Sequence, residues 1–148
     1  MNIIGDTAYL IGGSCETSEN ENVYTLYMNS FEWRIVKTAG DGPGHIEEHS
    51  AVVYNRNIVV YGGYCLKGRH VWIFNTEEKH WSCKPIGDDP RRFPLPRSGH
   101  AACVVGENMW VFGGQGDYEK LNDLWKYNIH FNTWDQIVLN ETDSVPIE

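Results

Sequence analysis

Histidines are the residues of this sequence most suited to metal binding or acid–base chemistry. The segment His45-Ile46-Glu47-Glu48-His49 matches the H-x-x-E-H pattern of a zinc-protease site. That pattern holds a metal only on a helix, where its two histidines lie about one turn apart on one face. Here Gly42-Pro43-Gly44 precedes the match and an apolar run typical of a β-strand follows it. We therefore expect a structural role for these histidines, and neither a metal site nor a catalytic residue.

Glycine pairs and cysteines are the other residue types here with a recognisable site chemistry. A phosphate-binding loop needs a glycine-rich segment that leads into a helix N-terminus, with a Lys or Ser/Thr partner. None of the glycine pairs, such as Gly62-Gly63, has that context. The cysteines are widely spaced and form no C-x-x-C pair, so we predict free thiols and no zinc ribbon. They are Cys15, Cys65, Cys83 and Cys103. No cofactor is expected.

Length and charge limit the classes of protein to which this chain can belong. A chain of 148 residues is expected to form one domain. Its 12 basic and 20 acidic side chains give a net charge of −8. Its overall field therefore repels nucleic acid and anionic membranes, and we expect neither as a partner. No apolar stretch approaches the roughly 18 residues of a spanning helix, and the start does not resemble a signal peptide. A cytoplasmic or nuclear location is expected.

An internal repeat must position all of these residues. A Gly-Gly pair closes an apolar run at 8–13, 58–63 and 109–114, and the second glycines are 50 and 51 residues apart. A tryptophan follows each pair after 18 to 20 residues, and the set is Trp33, Trp81 and Trp134. Because the tryptophans recur at one repeat position, we predict that each one is a large apolar plug in a core and not a platform for a ligand.

Each repeat predicts a unit of four short β-strands. In the second repeat these strands are 49–54, 58–61, 71–74 and a fourth around Trp81. Their apolar runs are rich in β-branched and aromatic residues and are bounded by Gly, Asn, Asp and Pro. Such runs are typical of strands and lack the 3.6-residue period of a helix. We therefore predict an all-β fold with almost no helix.

These co-spaced features resemble the kelch repeat family. The resemblance spans nearly the whole chain and rests on the Gly-Gly doublet, an aromatic residue seven positions before the tryptophan (Phe74, Tyr127) and the tryptophan itself. The first repeat departs from the pattern with Leu26 at the aromatic position. The resemblance implies a β-propeller made of four-stranded antiparallel blades. Within a single domain, 1–148, we place blade 1 at about 1–40, blade 2 at about 41–90 and blade 3 at about 91–148.

Three kelch-type blades make an incomplete propeller, since closed propellers use about four to eight blades. The two terminal blade faces then lack neighbours, and such faces need covering. We expect either a homodimer that completes a six-bladed ring or a fragment of a longer propeller.

The kelch resemblance also implies a function. It predicts a non-enzymatic protein–protein interaction module, acting as a substrate receptor or adaptor for a ubiquitin ligase or as a scaffold. The alternative is a kelch-type enzyme or specifier protein that depends on iron or copper, with His45, Glu48, His70 and Asp117 as candidate ligands. We favour the first function, because these donors do not recur at matching positions in successive repeats.

Long loops are the segments in which we expect the partner site. In an up-and-down sheet, the loop between strands two and three and the connection to the next blade lie on one face, and long loops on a rigid scaffold concentrate binding residues. The basic side chains of these segments around blades 2 and 3 are Lys67, Arg69, Arg91, Arg92 and Arg97. We predict that they gather on one face and bind an acidic peptide segment or a chain-terminal carboxylate, which guanidinium groups grip with paired hydrogen bonds.

Overall fold

A computed structural model of the chain describes residues 1–15 and 18–138, and the predicted end of the third blade, 139–148, lies outside the described residues. The regular structure of this part is all β-strand, as predicted, and it contains no helix that could cross a membrane. In chain order the strands are β1 (Asn2–Ile4), β2 (Thr7–Ile11), β3 (Ser14–Cys15), β4 (Ser18–Glu19), β5 (Val23–Tyr27), β6 (Glu32–Val36), β7 (Ala39–Gly40), β8 (Ile46–Glu47), β9 (Ser50–Tyr54), β10 (Asn57–Tyr61), β11 (Tyr64–Cys65), β12 (His70–Asn75), β13 (His80–Pro85), β14 (Ala101–Val105), β15 (Asn108–Gln115), β16 (Lys120–Asn128) and β17 (Thr133–Ile137).

Three antiparallel sheets form the blades of an incomplete kelch-type propeller. Blade 1 has the strand order β1-β2-β5-β6, blade 2 has β9-β10-β12-β13, and blade 3 has β14-β15-β16-β17. In blade 2, β7 adds a fifth strand that runs parallel to the start of β13. The connection from blade 1 therefore passes along the outer strand of blade 2. The pairs β3–β4 and β8–β11 are two-residue ladders in the loops.

The strand register places equivalent residues of each repeat side by side. Phe74 pairs with Trp81 in blade 2, and Tyr127 pairs with Trp134 in blade 3. Leu26 takes the same place beside Trp33 in blade 1. Cross-strand partners share one face of a sheet, so each blade has one face that carries its tryptophan. We call it the Trp face and call the opposite one the reverse face.

The hydrophobic cores lie between blades, because a four-stranded sheet must bury its apolar faces against a neighbour. The first core packs the Trp face of blade 2, including Ile58 and Phe74, on Ile11 of blade 1. The second core packs Met109 and Tyr127 of blade 3 on the reverse face of blade 2. Successive side chains of β10 therefore enter opposite cores, as the two-residue period of a strand requires.

The burial of the repeated tryptophan differs from blade to blade. Trp81 is 5% exposed and lies in the first core, as predicted. Trp134 is half-buried and packs on the second core. Trp33 is 52% exposed, so the prediction that it fills a core is wrong. The reason is positional, since no blade of the described chain covers the Trp face of blade 1.

The Gly-Gly doublets lie where the backbone at the end of a blade's second strand passes close to its neighbours. At Gly62, φ is 68° and an added Cβ would lie 2.7 Å from the carbonyl oxygen of Arg97 and even closer to the ring of His100. At Gly63, φ is 78° and an added Cβ would collide with the backbone of Glu47 and His49. The predicted reason for the doublets, positive φ and close backbone approach, is confirmed at this blade boundary.

Candidate functional site: a groove between two loops

A groove opens at the boundary of blades 2 and 3, on the face predicted to carry the partner site. Two adjoining cavities form it, of about 200 Å³ and about 280 Å³. The first is lined by the β10–β12 loop and the end of the connection to blade 3, and the second adds the β15–β16 loop at Gln115–Asp117. Both cavities share Gly63, Tyr64, Pro96 and Arg97. We call the two together the loop groove.

Arg97 lines both cavities of the loop groove and is held there by a buried ion pair. Its guanidinium donates to both carboxylate oxygens of Asp123, at 2.7 and 2.9 Å, and to the carbonyl of Gly113 at 3.1 Å. The indole of Trp125 donates to the same carboxylate at 2.6 Å. Burial alone would raise the pKa of Asp123, but the hydrogen bonds from Arg97 and Trp125 outweigh it and lower that pKa.

Arg97 therefore orders the groove and offers no free charge at the surface. Its side chain is fully buried against Asp123, and its Nε donates to the carbonyl of Leu95 at 3.2 Å. Tyr61 lies beside it in the groove wall. Burial raises the pKa of Tyr61 to about 12, although the positive charges of Arg97 and Arg69 oppose this.

Arg69 lies at the loop groove, whereas Lys67 lies outside it. Arg69 lines the first cavity, donates to the carbonyl of Pro94 and pairs with Asp88 at 3.1 Å. Asp88 is 98% exposed, so this pair is weak. Lys67 lines a different cavity and binds Asp41 and the backbone of the connection to blade 2.

Arg91 and Arg92 lie away from the loop groove. Both line a shallow cavity with residues 132–136 beside the outer strand of blade 3. Arg91 is highly exposed and pairs with Asp89 two residues earlier. Arg92 forms no ion pair with any residue in the described ranges, and its guanidinium lies 6.0 Å from the centre of the Phe93 ring. Of the five basic residues, Arg69 and Arg97 share a cavity of the loop groove, while Arg91 and Arg92 share the separate cavity beside blade 3 and Lys67 lies apart from both pairs.

The reason for this division is the path of the blade connection. The segment that leaves blade 1 runs along the outer strand of blade 2, where Ala39 and Gly40 pair with β13. The segment that leaves blade 2 follows an equivalent path, which carries Arg91 and Arg92 to the outer strand of blade 3. It reaches the groove only at its end, near Pro96 and Arg97. The chain order of these residues does not reveal that path.

Exposed apolar side chains, which are not among the predicted site residues, lie in the two loops that line the loop groove. Leu66, in the β10–β12 loop, is 96% exposed, and Tyr118, in the β15–β16 loop, is 99% exposed. Tyr64 is also exposed and lines both cavities. A sequence signal for them was available, because each is a large apolar residue inside a segment predicted to be a long loop.

The repeated histidines join the blades behind the groove. The ring of His100 lies 5.1 Å from that of Tyr61, and its Nε2 is 2.7 Å from the hydroxyl of Ser50. Burial is the largest cause that lowers the pKa of His100 to about 4, and the charges of Arg97 and His49 act in the same direction. Burial also lowers the pKa of His49, the equivalent residue of blade 2. The predicted structural role at the strand entry fits both rings.

The candidate metal ligands do not form a metal-binding group in the described part of the chain. No set of three or more His, Cys, Asp or Glu side chains in residues 1–15 and 18–138 is arranged to hold an ion. His45 and Glu48 lie on either side of β8, while His70 begins β12 and Asp117 lies in the β15–β16 loop. In the described ranges, the four candidate ligands therefore do not come together as one ligand set.

Comparison with known proteins agrees with the blade geometry. The family model described as "KLHDC2/KLHL20/DRC7 Kelch-repeats domain" matches residues 1–148. Human host cell factor 2 is 33% identical over 134 residues, which cover 77% of this chain and 16% of that protein. Kelch domain-containing protein 3 of Bos taurus is 31% identical over 121 residues, which cover 78% of this chain and 31% of that protein.

Host cell factor 1 of Rattus norvegicus is 28% identical over 182 residues, which cover 99% of this chain and 9% of that protein. The chain thus spans less than a third of the length of each of these relatives. The blades, glycine doublets and tryptophan register of the described residues agree with the family match to residues 1–148, and the chain belongs to the kelch-repeat family.

Proposed function

We propose that this chain is a non-enzymatic interaction module that holds a partner protein or peptide in the loop groove. The observation that carries the proposal is that Leu66 and Tyr118, both almost fully exposed, lie in the two loops that line the groove, and that the exposed Tyr64 lines both of its cavities. Exposed apolar side chains grouped beside a preformed cavity mark interaction sites, and aromatic residues such as Tyr are frequent anchors there. A role as substrate receptor or scaffold would use this same surface.

An acidic partner segment fits the charge distribution of the groove. Arg69 is the groove cation whose carboxylate partner can be exchanged, because Asp88 is almost fully exposed and its pair with Arg69 contributes little. A partner carboxylate could take the place of Asp88 while Arg69 keeps its bond to Pro94. Arg97 cannot serve in this way, since losing Asp123 would leave its buried charge unpaired.

Selection from a displayed random-peptide library tests the proposed function. Wild-type protein should enrich a family of related peptides, and their synthetic versions should bind in solution with a measurable dissociation constant. A variant with both Leu66→Asp and Tyr118→Asp should lose that binding by at least about tenfold, because the apolar anchors are replaced by charges. Phe131→Asp is the matched control, since Phe131 is an exposed aromatic residue in the β16–β17 turn, outside the groove.

Two outcomes would contradict the proposal. One is a library that yields no peptide specific for the folded chain. The other is a peptide that binds the double variant and the wild type equally well. The acidic preference has its own check, because Arg69→Gln should weaken binding of an acidic peptide and reduce its dependence on salt.

A further inference from the structure

The two contacts between neighbouring blades use the same pair of faces. At the first contact, Phe74 on the Trp face of blade 2 meets Tyr9 on the reverse face of blade 1, with ring centres 6.4 Å apart. At the second contact, Trp134 on the Trp face of blade 3 meets Tyr61 on the reverse face of blade 2, with ring centres 5.0 Å apart. Each Trp face is therefore covered by the reverse face of the preceding blade.

The faces left uncovered in the described chain are one of each type. Blade 1 exposes its Trp face, where Trp33 is 52% exposed and Ile3 and Ile35 are also exposed. Blade 3 exposes its reverse face, where Phe112 is 48% exposed and Val105 is exposed as well. These are the two kinds of face that meet inside the molecule.

One residue pair makes the complementarity specific. Phe112 immediately precedes the glycine doublet of blade 3, as Tyr61 does in blade 2, and Trp33 is equivalent to Trp134 by register. The ring contact of Tyr61 with Trp134 is thus the internal form of a contact between Phe112 and Trp33 that the described chain cannot make within itself. Phe112 is exposed whereas its equivalent Tyr61 is buried, which is consistent with a missing partner.

We propose that two copies of this chain associate head to tail, with the Trp face of blade 1 in each copy covered by the reverse face of blade 3 in the other. A second copy is the occupant that covers both open faces at once, by continuing the interface already present between the blades. The product is a closed two-fold ring of six blades, within the range of known propellers. This assembly is independent of partner binding in the loop groove.

Polar residues on the open face of blade 3 do not oppose this contact. Lys126 and Asp135 pair there at 3.4 Å. Their equivalents by register on the reverse face of blade 1 are Thr25 and Arg34, which are also polar. The reverse face of blade 1 therefore carries these polar residues beside apolar ones such as Ile11 and Val23, and blade 2 packs on it all the same.

Sedimentation equilibrium of the purified chain at micromolar concentration is the first test. The expected mass is twice the 16.9 kDa of one chain. A wild-type chain that stays monomeric would overturn the proposal, and it would leave both faces to further blades or to another protein.

A charge-complementation experiment tests which faces meet. Trp33→Arg and Phe112→Asp should each be monomeric alone, because every contact in their ring would place one charge on an apolar surface. An equimolar mixture should restore the dimer, since one contact then joins Arg to Asp and the other joins two wild-type faces. Tyr118→Asp is the control for a charge placed on an exposed aromatic position of blade 3, and it should remain dimeric.

Each remaining result has a defined meaning. Both single variants should keep the circular dichroism of the wild-type β-sheet, because both side chains are half exposed in the single chain. Variants that remain dimeric would show that other surfaces pair. A mixture of folded variants that stays monomeric would show that Trp33 and Phe112 do not meet.

Discussion

The same residue type at the same repeat position has a different environment in each blade. The sequence predicted the alignment of Trp33, Trp81 and Trp134, because repeat spacing fixes the register within a sheet. It did not predict that Trp33 is exposed, because the environment of a Trp face depends on the blade that covers it. Spacing thus determines the face on which a side chain lies, and neighbouring units determine its burial.

This distinction predicts unequal costs of tryptophan removal. Trp81→Ala should lower the free energy of unfolding by about 3 to 5 kcal/mol, as expected for a large buried aromatic residue. Trp33→Ala should change it by less than about 1 kcal/mol in a single chain, because its ring is half exposed. Urea unfolding of both variants in the Phe112→Asp background, where ring closure is prevented, measures the difference. Equal losses would contradict the assignment of Trp33 to an open face.

His100 predicts a decrease in stability at acidic pH. Its pKa is about 4 in the folded chain, below the ordinary value of 6.5, because burial disfavours the charged ring. The unfolded chain therefore binds more protons than the folded chain between these values, so folded stability falls as the pH drops from 6.5 towards 4. Above 6.5, His100 contributes no pH dependence.

Urea midpoints at several pH values check this prediction. The wild type should lose more stability than His100→Gln between pH 7 and pH 5, since the variant lacks the titrating ring. His49, whose pKa is also lowered by burial, leaves the variant with part of the slope. Identical slopes for the two proteins would show that His100 is not responsible.

The environment of Arg97 is a feature that the sequence did not reveal. Its place in a loop and its charge predicted a surface anchor, whereas the structure buries it against Asp123. The partner is 26 residues away in the chain, so local composition does not reveal the pair. Arg97→Glu should cost about 3 to 5 kcal/mol, as loss of one partner of a buried pair does. Arg91→Glu, at an exposed site, is the control and should be nearly neutral in thermal unfolding. Equal midpoints for these two variants would argue against a structural role for Arg97.

At the scale of strands and turns, sequence patterns predicted the strands that build the blades. The predicted strand 58–61 is observed as β10 (Asn57–Tyr61), and the predicted strand 49–54 is observed as β9 (Ser50–Tyr54). These elements have local causes, namely β-branched runs and turn residues such as Asn55, whose φ is 54°. The parallel strand β7 was missed, because a two-residue contact between distant segments leaves no pattern in the sequence.

The glycine doublets predict a graded response to added methyl groups. Gly62→Ala should destabilise the fold by clearly more than about 1 kcal/mol, because positive φ adds strain and the new Cβ meets the backbone of Arg97 and the ring of His100. Gly106→Ala is the matched control, since Gly106 also has positive φ but no atom within 4 Å of an added Cβ. The difference between their urea midpoints isolates the close approach of neighbouring blades. No difference would contradict a packing role for the first glycine of the doublet.

At the scale of the whole molecule, blade 2 is the element on which the other two depend. Its β10 strand is central, because Ile58 and Val60 enter the first core while Val59 and Tyr61 enter the second. The second strands of blades 1 and 3, β2 and β15, each have one face on a core and one open face. Loss of the packing of blade 2 on blades 1 and 3 would therefore expose both hydrophobic cores at once.

Hydrogen exchange should reveal this central position. In the monomeric Phe112→Asp chain, amides of β10 should exchange most slowly, because Ile58, Val59 and Val60 are fully buried and exposing them requires both blade contacts to open. Amides of β2 and β15 should exchange faster, since loss of one contact exposes them. In the wild-type ring these differences should shrink, because each terminal blade then gains a second neighbour. Equal protection of β2, β10 and β15 in the monomeric variant would mean that the three blades open only as one unit.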